Sequence, residues 1–235
     1  MRFQDAARDA RAVVYAGIQA DPLVARAAEL LAAATLGQRI LARAVMNGET
    51  TDPDGWRATF PSLFGATATD LTHATDPAAR AHSEAILAAS LAVADRGEQV
   101  RSQFRGAIVE ELTARLLGRR AGPSMVKRER RILFDGVRAE IHPYDVTVER
   151  ESAAEAYDCK WGARGINPDV LHQLDDARAH AADEDERLAV ALVVFDARLS
   201  CTVRLGAQTA PHEATAIVTL ESLDALAGGP PRPSA

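Results

Sequence analysis

Residues 188–195 read LAVALVVF, eight consecutive apolar side chains with no polar break. The run is far short of the ~18 residues a membrane span needs. It also lacks the polar positions that a surface helix shows on one side. It is the pattern of a β-strand buried on both faces, which belongs in a sheet with helices on either side. That run is consistent with an α/β protein.

The neighbouring patterns supply those elements. Asn167-Pro168 opens a helix of about 15 residues, with a capping side chain and proline at the first helical position. Upstream, Met125–Leu133, Val137–Ile141, Tyr144–Val148 and Ala156–Trp161 read as strands, with a turn at Asp135-Gly136. A helix over 98–117 buries Phe104, Ile108, Val109, Leu112, Leu116 and Leu117. Thr202–Leu205 and Ala214–Leu220 read as late strands, and Leu220–Leu226 as a last short helix. The N-terminal part reads as all-α: two helices over 3–47, the second starting at Asp21-Pro22, a loop-like stretch over 49–62, and a helix from Asp76-Pro77 to Ala94. The expected organisation is a helical region over 1–95, a sheet-bearing domain over 96–228 and a disordered tail over 229–235.

The 235 residues are about half apolar, carry a formal net charge of −6 and include two cysteines. Cys159 and Cys201 are too few for a disulfide framework or a four-thiolate zinc site, and one disulfide between them stays open. The N-terminus has charges throughout and no signal-peptide core, so a cytoplasmic setting is expected. Neither a Walker A loop nor a dinucleotide glycine fingerprint occurs, so no nucleotide cofactor is indicated.

One segment, HPYDVTVERESAAEAYDCKWG over 142–162, holds most of the chemistry. Alternation along the second strand points Asp158 and Lys160 one way and Tyr157, Cys159 and Trp161 the other. A hairpin through Arg150–Glu155 would set Asp145 beside Asp158. Two crowded carboxylates repel unless a cation lies with them, either a divalent ion or the nearby lysine. Hard oxygen ligands suit Mg2+ or Mn2+.

This arrangement resembles the PD-(D/E)XK, or restriction-endonuclease-like, superfamily of phosphodiesterases. Pro143, Asp145, Asp158 and Lys160 match its signature, with Tyr144 between the proline and the first acid. The family core runs helix, three strands, helix, strand, and the patterns over roughly 100–228 follow that order. The resemblance implies a restriction-endonuclease-like core, a central mixed sheet flanked by helices, and a Mg2+-dependent deoxyribonuclease, an endonuclease rather than an exonuclease. It implies a metal site of Asp145, Asp158, Glu110 and the Cys159 carbonyl, with Lys160 and Gln173 among the catalytic residues. Glu110 enters through Gly106-Ala-Ile-Val-Glu110, like the family's Gly-x-x-x-Glu helix, and Gln173 through the helix after the DxK strand. His142 reads as a structural or surface residue.

Charge distribution is compatible with a DNA partner. Between residues 101 and 138 ten basic residues stand against four acidic ones, including the run KRERR at 127–131. Such patches draw affinity from phosphate contacts. The helical region would serve oligomerisation or a partner protein, and a bacterial antiviral defence or DNA-processing system is the expected context. The alternative is a non-catalytic nuclease-fold module that binds DNA or a partner protein.

Overall fold

Four helices begin in the same way, with an Asp or Asn side chain capping the first free amides and a proline at the first turn: Asp21-Pro22, Asp52-Pro53, Asp76-Pro77 and Asn167-Pro168. The computed structural model describes residues 1–6, 10–65, 76–135, 137–138, 142–208 and 215–228. The expected disordered tail, Gly136, residues 139–141 and Ala214 lie outside them. The chain divides into two compact units, residues 14–112 and residues 1–13 with 113–235.

The first unit is helical. It holds most of α1 (Ala10–Gln19), then α2 (Pro22–Ala32), α3 (Leu36–Asn47), α4 (Pro53–Thr59), α5 (Pro61–Phe64), α6 (Pro77–Ala94) and the start of α7 (Glu98–Ala121). Leu41, Val45, Phe64, Leu87 and Ala94 form its core with Trp56, Phe60, Leu63 and Leu91. A capping box of Thr35 and Gln38 starts α3, and the Gln38 amide also donates to Ser83 Oγ at 3.0 Å, tying α3 to α6. The stretch 49–62, expected as loop-like, instead holds the helix Pro53–Thr59 and the start of the helix Pro61–Phe64.

The second unit is built on a mixed sheet. Its strands are β1 (Arg2–Asp5), β2 (Val126–Phe134), β3 (Val137–Arg138), β4 (Tyr144–Glu149), β5 (Ala154–Lys160), β6 (Leu188–Val194) and β7 (Ala216–Val218), in the order β1-β2-β4-β5-β6-β7 with β3 also on β2. β1, β2, β4 and β5 pair antiparallel in turn, whereas β5–β6 and β6–β7 are parallel. α8 (Pro168–Asp183) makes the crossover between β5 and β6, as a parallel pair requires. Gly122, at φ 87°, turns the chain out of α7 towards β2 in a conformation that favours glycine.

The apolar run Leu188–Val194 is β6, and it is the most buried strand pair with β5. Ile132, Phe134, Tyr144, Ala156, Leu192 and Val194 pack with Leu171, Leu174 and Ala177 of α8 on one side. Alternation turns Glu155, Tyr157 and Cys159 to the other side, where the end of α7 lies: Cys159 Sγ is 3.5 Å from Thr113 Oγ1, and Arg120 grips Glu155. Both cysteines are free and buried.

The two helices expected over 3–47 are three, because the Thr35–Gln38 capping box starts a new one at Leu36, and two further expectations are corrected. Residues 2–5, assigned from residue 3 onward to a helix, form the edge strand β1, because pairing with Arg130–Leu133 overrides a polar segment's weak local preference. Thr202–Leu205, assigned to a strand for its β-branched residues, lies in α9 (Arg198–Gly206), where Cys201 and Leu205 share the docked side at helical spacing. The last short helix is a 3-10 segment over Leu223–Ala227.

The α7 side of the sheet carries a buried ion network. Arg120 reaches Glu155 through two bonds of 2.9 and 2.6 Å, Arg150 adds one at 2.7 Å, and the Tyr157 hydroxyl donates to the same carboxylate. Burial pushes the Glu155 carboxyl up, but the two guanidiniums and the phenol outweigh it and hold it at about 2. Glu155→Gln should lower unfolding free energy at pH 7 by about 3 kcal/mol or more, since Arg120 keeps its burial without a counter-charge. A depressed carboxyl stabilises in full above its unfolded value, near ~4.3, and the contribution is lost as pH falls through the folded value of about 2. The gap between wild type and variant in urea titrations should therefore be full from pH 7 down to about 5 and shrink between there and about 2.

Candidate active site

β4 and β5 pair regularly from Glu149 opposite Ala154 to Val146 opposite Tyr157. One step further, Asp145 would face Asp158. There the Cys159 N–H donates to Asp145 Oδ2 at 2.6 Å, so a side-chain oxygen takes the amide just past the regular ladder. The other edge of β4 is also perturbed. β2 pairs Arg128 with Val146 and Arg130 with Tyr144, and Glu129 between them sits at φ 51°. A non-glycine residue in the left-handed region within a strand is unusual, and such distortions re-aim neighbouring side chains. Asp145 therefore sits where β4 departs from regular pairing.

The Asp145 bond pins its carboxylate against the backbone between Asp158 and Lys160. Asp158 is buried, and its Oδ1 is in ion-pair contact with the Lys160 ammonium. That oxygen has no well-directed hydrogen bond. Lys160 is partly buried, with 28% of its side chain exposed. Burial pushes its ammonium towards release of the proton, but the Asp158 and Asp145 carboxylates act more strongly and the net shift is upward. The lysine is thus a held cation and is poorly suited as a base in this state. The donor types suit a hard divalent ion: the Asp145 and Asp158 carboxylates both act on Lys160 at this end of β5, and the Cys159 carbonyl shares the edge of its own N–H. Among the described residues no group of three His, Cys, Asp or Glu side chains gathers into a cluster.

Two residues that sequence reasoning passed over hold this end of β5. Lys160 is followed by a tight turn whose 3-10 segment is Ala163–Gly165. A Cβ on Gly165 would lie 2.7 Å from Lys160 Cγ and 2.8 Å from Lys160 Cβ, so only glycine leaves room for the lysine stem. Asp196, buried just past β6, accepts from Ala163 N at 3.0 Å and Ala197 N at 2.7 Å. The Phe195 N–H donates to Lys160 O at 2.8 Å, and Trp161 stacks on Phe195 with centroids 4.9 Å apart. A carboxylate directly after an apolar strand was the available signal for Asp196.

The other expected site residues have defined partners. Gln173, buried in α8, clamps the His142 backbone with both ends of its amide, each at 3.1 Å. It fixes the chain three residues ahead of Asp145, and Tyr144 Oη donates to the Gln173 carbonyl at 3.3 Å. Glu110 belongs to the helical unit. Its carboxylate accepts from Tyr15 Oη at 2.5 Å and Gln19 Nε2 at 2.7 Å. A Cβ on Gly106 would come within 3.0 Å of the same Tyr15 hydroxyl, so the Gly-x-x-x-Glu spacing seats Tyr15 of α1. His142 is exposed, and its backbone is what Gln173 holds.

Of the expected basic patch, Arg101 and Arg105 bind Glu98, Arg120 binds Glu155, and Arg130 binds Glu149 and Asp5. Lys127 is exposed. No family model, curated protein or solved structure matches the chain.

Gln173→Ala removes the clamp but leaves Asp145 and Asp158 untouched. Hydrogen exchange at the His142 amide should accelerate at least tenfold, with the β6 amides unchanged, because only a local latch is lost. Equal protection of His142 in both proteins would refute the latch.

Proposed function

We propose that the chain is a metal-dependent phosphodiesterase with a restriction-endonuclease-like core, hydrolysing nucleic acid and, by that resemblance, DNA. The observation that carries this reading is the meeting of Asp145, Asp158 and Lys160 at the end of β4–β5. The order α7, β2, β4, β5, α8, β6, with an antiparallel meander joined through a helix to a parallel strand, supports it. So does the position of the site. It lies at the carboxyl end of the parallel strands β5 and β6, where open α/β sheets bind ligands.

In this reading Asp145, Asp158 and the Cys159 carbonyl hold Mg2+ or Mn2+. The bound ion supplies a lowered pKa for attacking water and neutralises phosphoryl charge. Asp145 is oriented by the Cys159 N–H and Asp158 by its contact with Lys160. The Lys160 ammonium donates to the water or to the phosphoryl oxygen and stabilises charge as it develops there. Gly165 and Asp196 set the lysine's position, and Gln173 sets that of the β4 start. Glu110, engaged by Tyr15 and Gln19, stays outside the proposed hydrolytic set.

Plasmid and labelled-oligonucleotide cleavage with Mg2+ or Mn2+ tests this directly. Asp158→Asn and Lys160→Ala should each lower cleavage at least a hundredfold, while circular dichroism stays that of wild type. Gly165→Ala should also lose tenfold or more, because the new methyl displaces the Lys160 stem; small misplacements of catalytic groups have costs of that order. A wild-type chain that cleaves neither DNA nor RNA with either ion would overturn the proposal.

A further inference from the structure

Substrate phosphates need cations that are free to meet them, and several arginines of the 101–138 stretch already bind carboxylates. Two guanidiniums elsewhere do not. Arg164 lies within the turn that follows Lys160, and its side chain is exposed. Arg204 projects from α9, also exposed, and its Nε donates to Ile166 O of the same turn at 2.9 Å. Among the described residues neither arginine has an ion-pair partner.

The turn that carries Arg164, and against which Arg204 is hydrogen-bonded, is tightly fixed. Ala163 N is held by Asp196, Gly165 N donates to Gly162 O at 2.9 Å, and Ile166 N donates to Ala163 O at 3.0 Å. α9 is anchored through buried Cys201. Gly165 packs against the Lys160 stem, so the backbone bearing Arg164 abuts the lysine of the candidate site. A cation on a preorganised backbone loses little freedom on binding. Guanidinium groups match phosphate oxygens in a two-pronged geometry.

We propose that Arg164 and Arg204 form a phosphate-binding subsite that holds the nucleic-acid backbone next to the phosphodiester presented to Lys160. This rests on the hydrolase reading of the same site. The ligand chemistry is a polynucleotide phosphodiester, which DNA and RNA share, and the oligonucleotides of the test distinguish the two.

The test uses the full chain and fluorescent duplex DNA, single-stranded DNA and RNA oligonucleotides. Anisotropy titrations in EDTA measure binding without turnover, across a series of salt concentrations. Mg2+-dependent cleavage is measured on the same proteins, with circular dichroism as a folding control. Arg164→Ala and Arg204→Ala should each weaken binding about five- to tenfold and reduce the slope of log K against log salt by about one. The double variant should lose about two units of slope. KM should rise while kcat at saturation stays within about twofold, and Arg164→Lys should restore the slope but only part of the affinity. Wild-type affinity and salt slope in the double variant would overturn the subsite, even where cleavage upholds the hydrolase. Arginine-dependent binding by a wild-type chain that never cleaves would uphold the subsite and overturn the hydrolase. A wild-type chain that binds none of the three oligonucleotides overturns the subsite outright.

Discussion

The hydrogen bond from the Cys159 N–H to Asp145 is the contact on which the site depends. It lies just past the last regular rung between β4 and β5 and holds a carboxylate where the next pair of residues would meet. It gives a half-buried acid at a strand end a defined direction. With it, one carboxylate is set against the β5 backbone between Asp158 and Lys160. Close placement of two negative groups is unfavourable in a low-dielectric setting. Lys160 offsets part of that repulsion in the structure, and a divalent ion would offset more.

The surrounding fold supplies rigidity on three sides. α8 latches the chain ahead of Asp145 through Gln173. The end of β6 braces the end of β5 through Phe195 and Asp196. Behind the sheet, Glu155 and its two arginines join β5 to α7. Each brace is a polar contact with defined partners. Sites held this way keep their geometry better than sites on loose loops.

Much of this was legible in the sequence. The apolar run 188–195 specified a sheet with helices on both sides, and the cap-then-proline pairs located three helix starts. Asp52-Pro53 carries the same signal inside a stretch read as loop, because glycine and prolines nearby masked it. The period-2 alternation placed Asp158 and Lys160 on one side. What escaped depended on pairing or on space. Arg2–Asp5 is a strand only because β2 offers it an edge. Thr202 and Val203 favour strand locally, yet Cys201 and Leu205 bury at helical spacing. Gly165 gave no sign of its part, since its meaning is the volume that the Lys160 stem occupies. The arginines of 101–138 looked like one patch by charge count alone, whereas Arg101 and Arg105 pair with nearby Glu98, and Arg120 and Arg130 pair with carboxylates distant in sequence.

Isothermal titration of the full chain with Mn2+ examines the central proposal most directly, because it reads the carboxylate pair without needing the right substrate. One ion should bind per chain, and Asp145→Asn and Asp158→Asn should each weaken that binding at least tenfold with the fold intact. Heats that are the same in wild type and both variants, or that are absent in all three, would contradict a metal site at the end of β4 and β5.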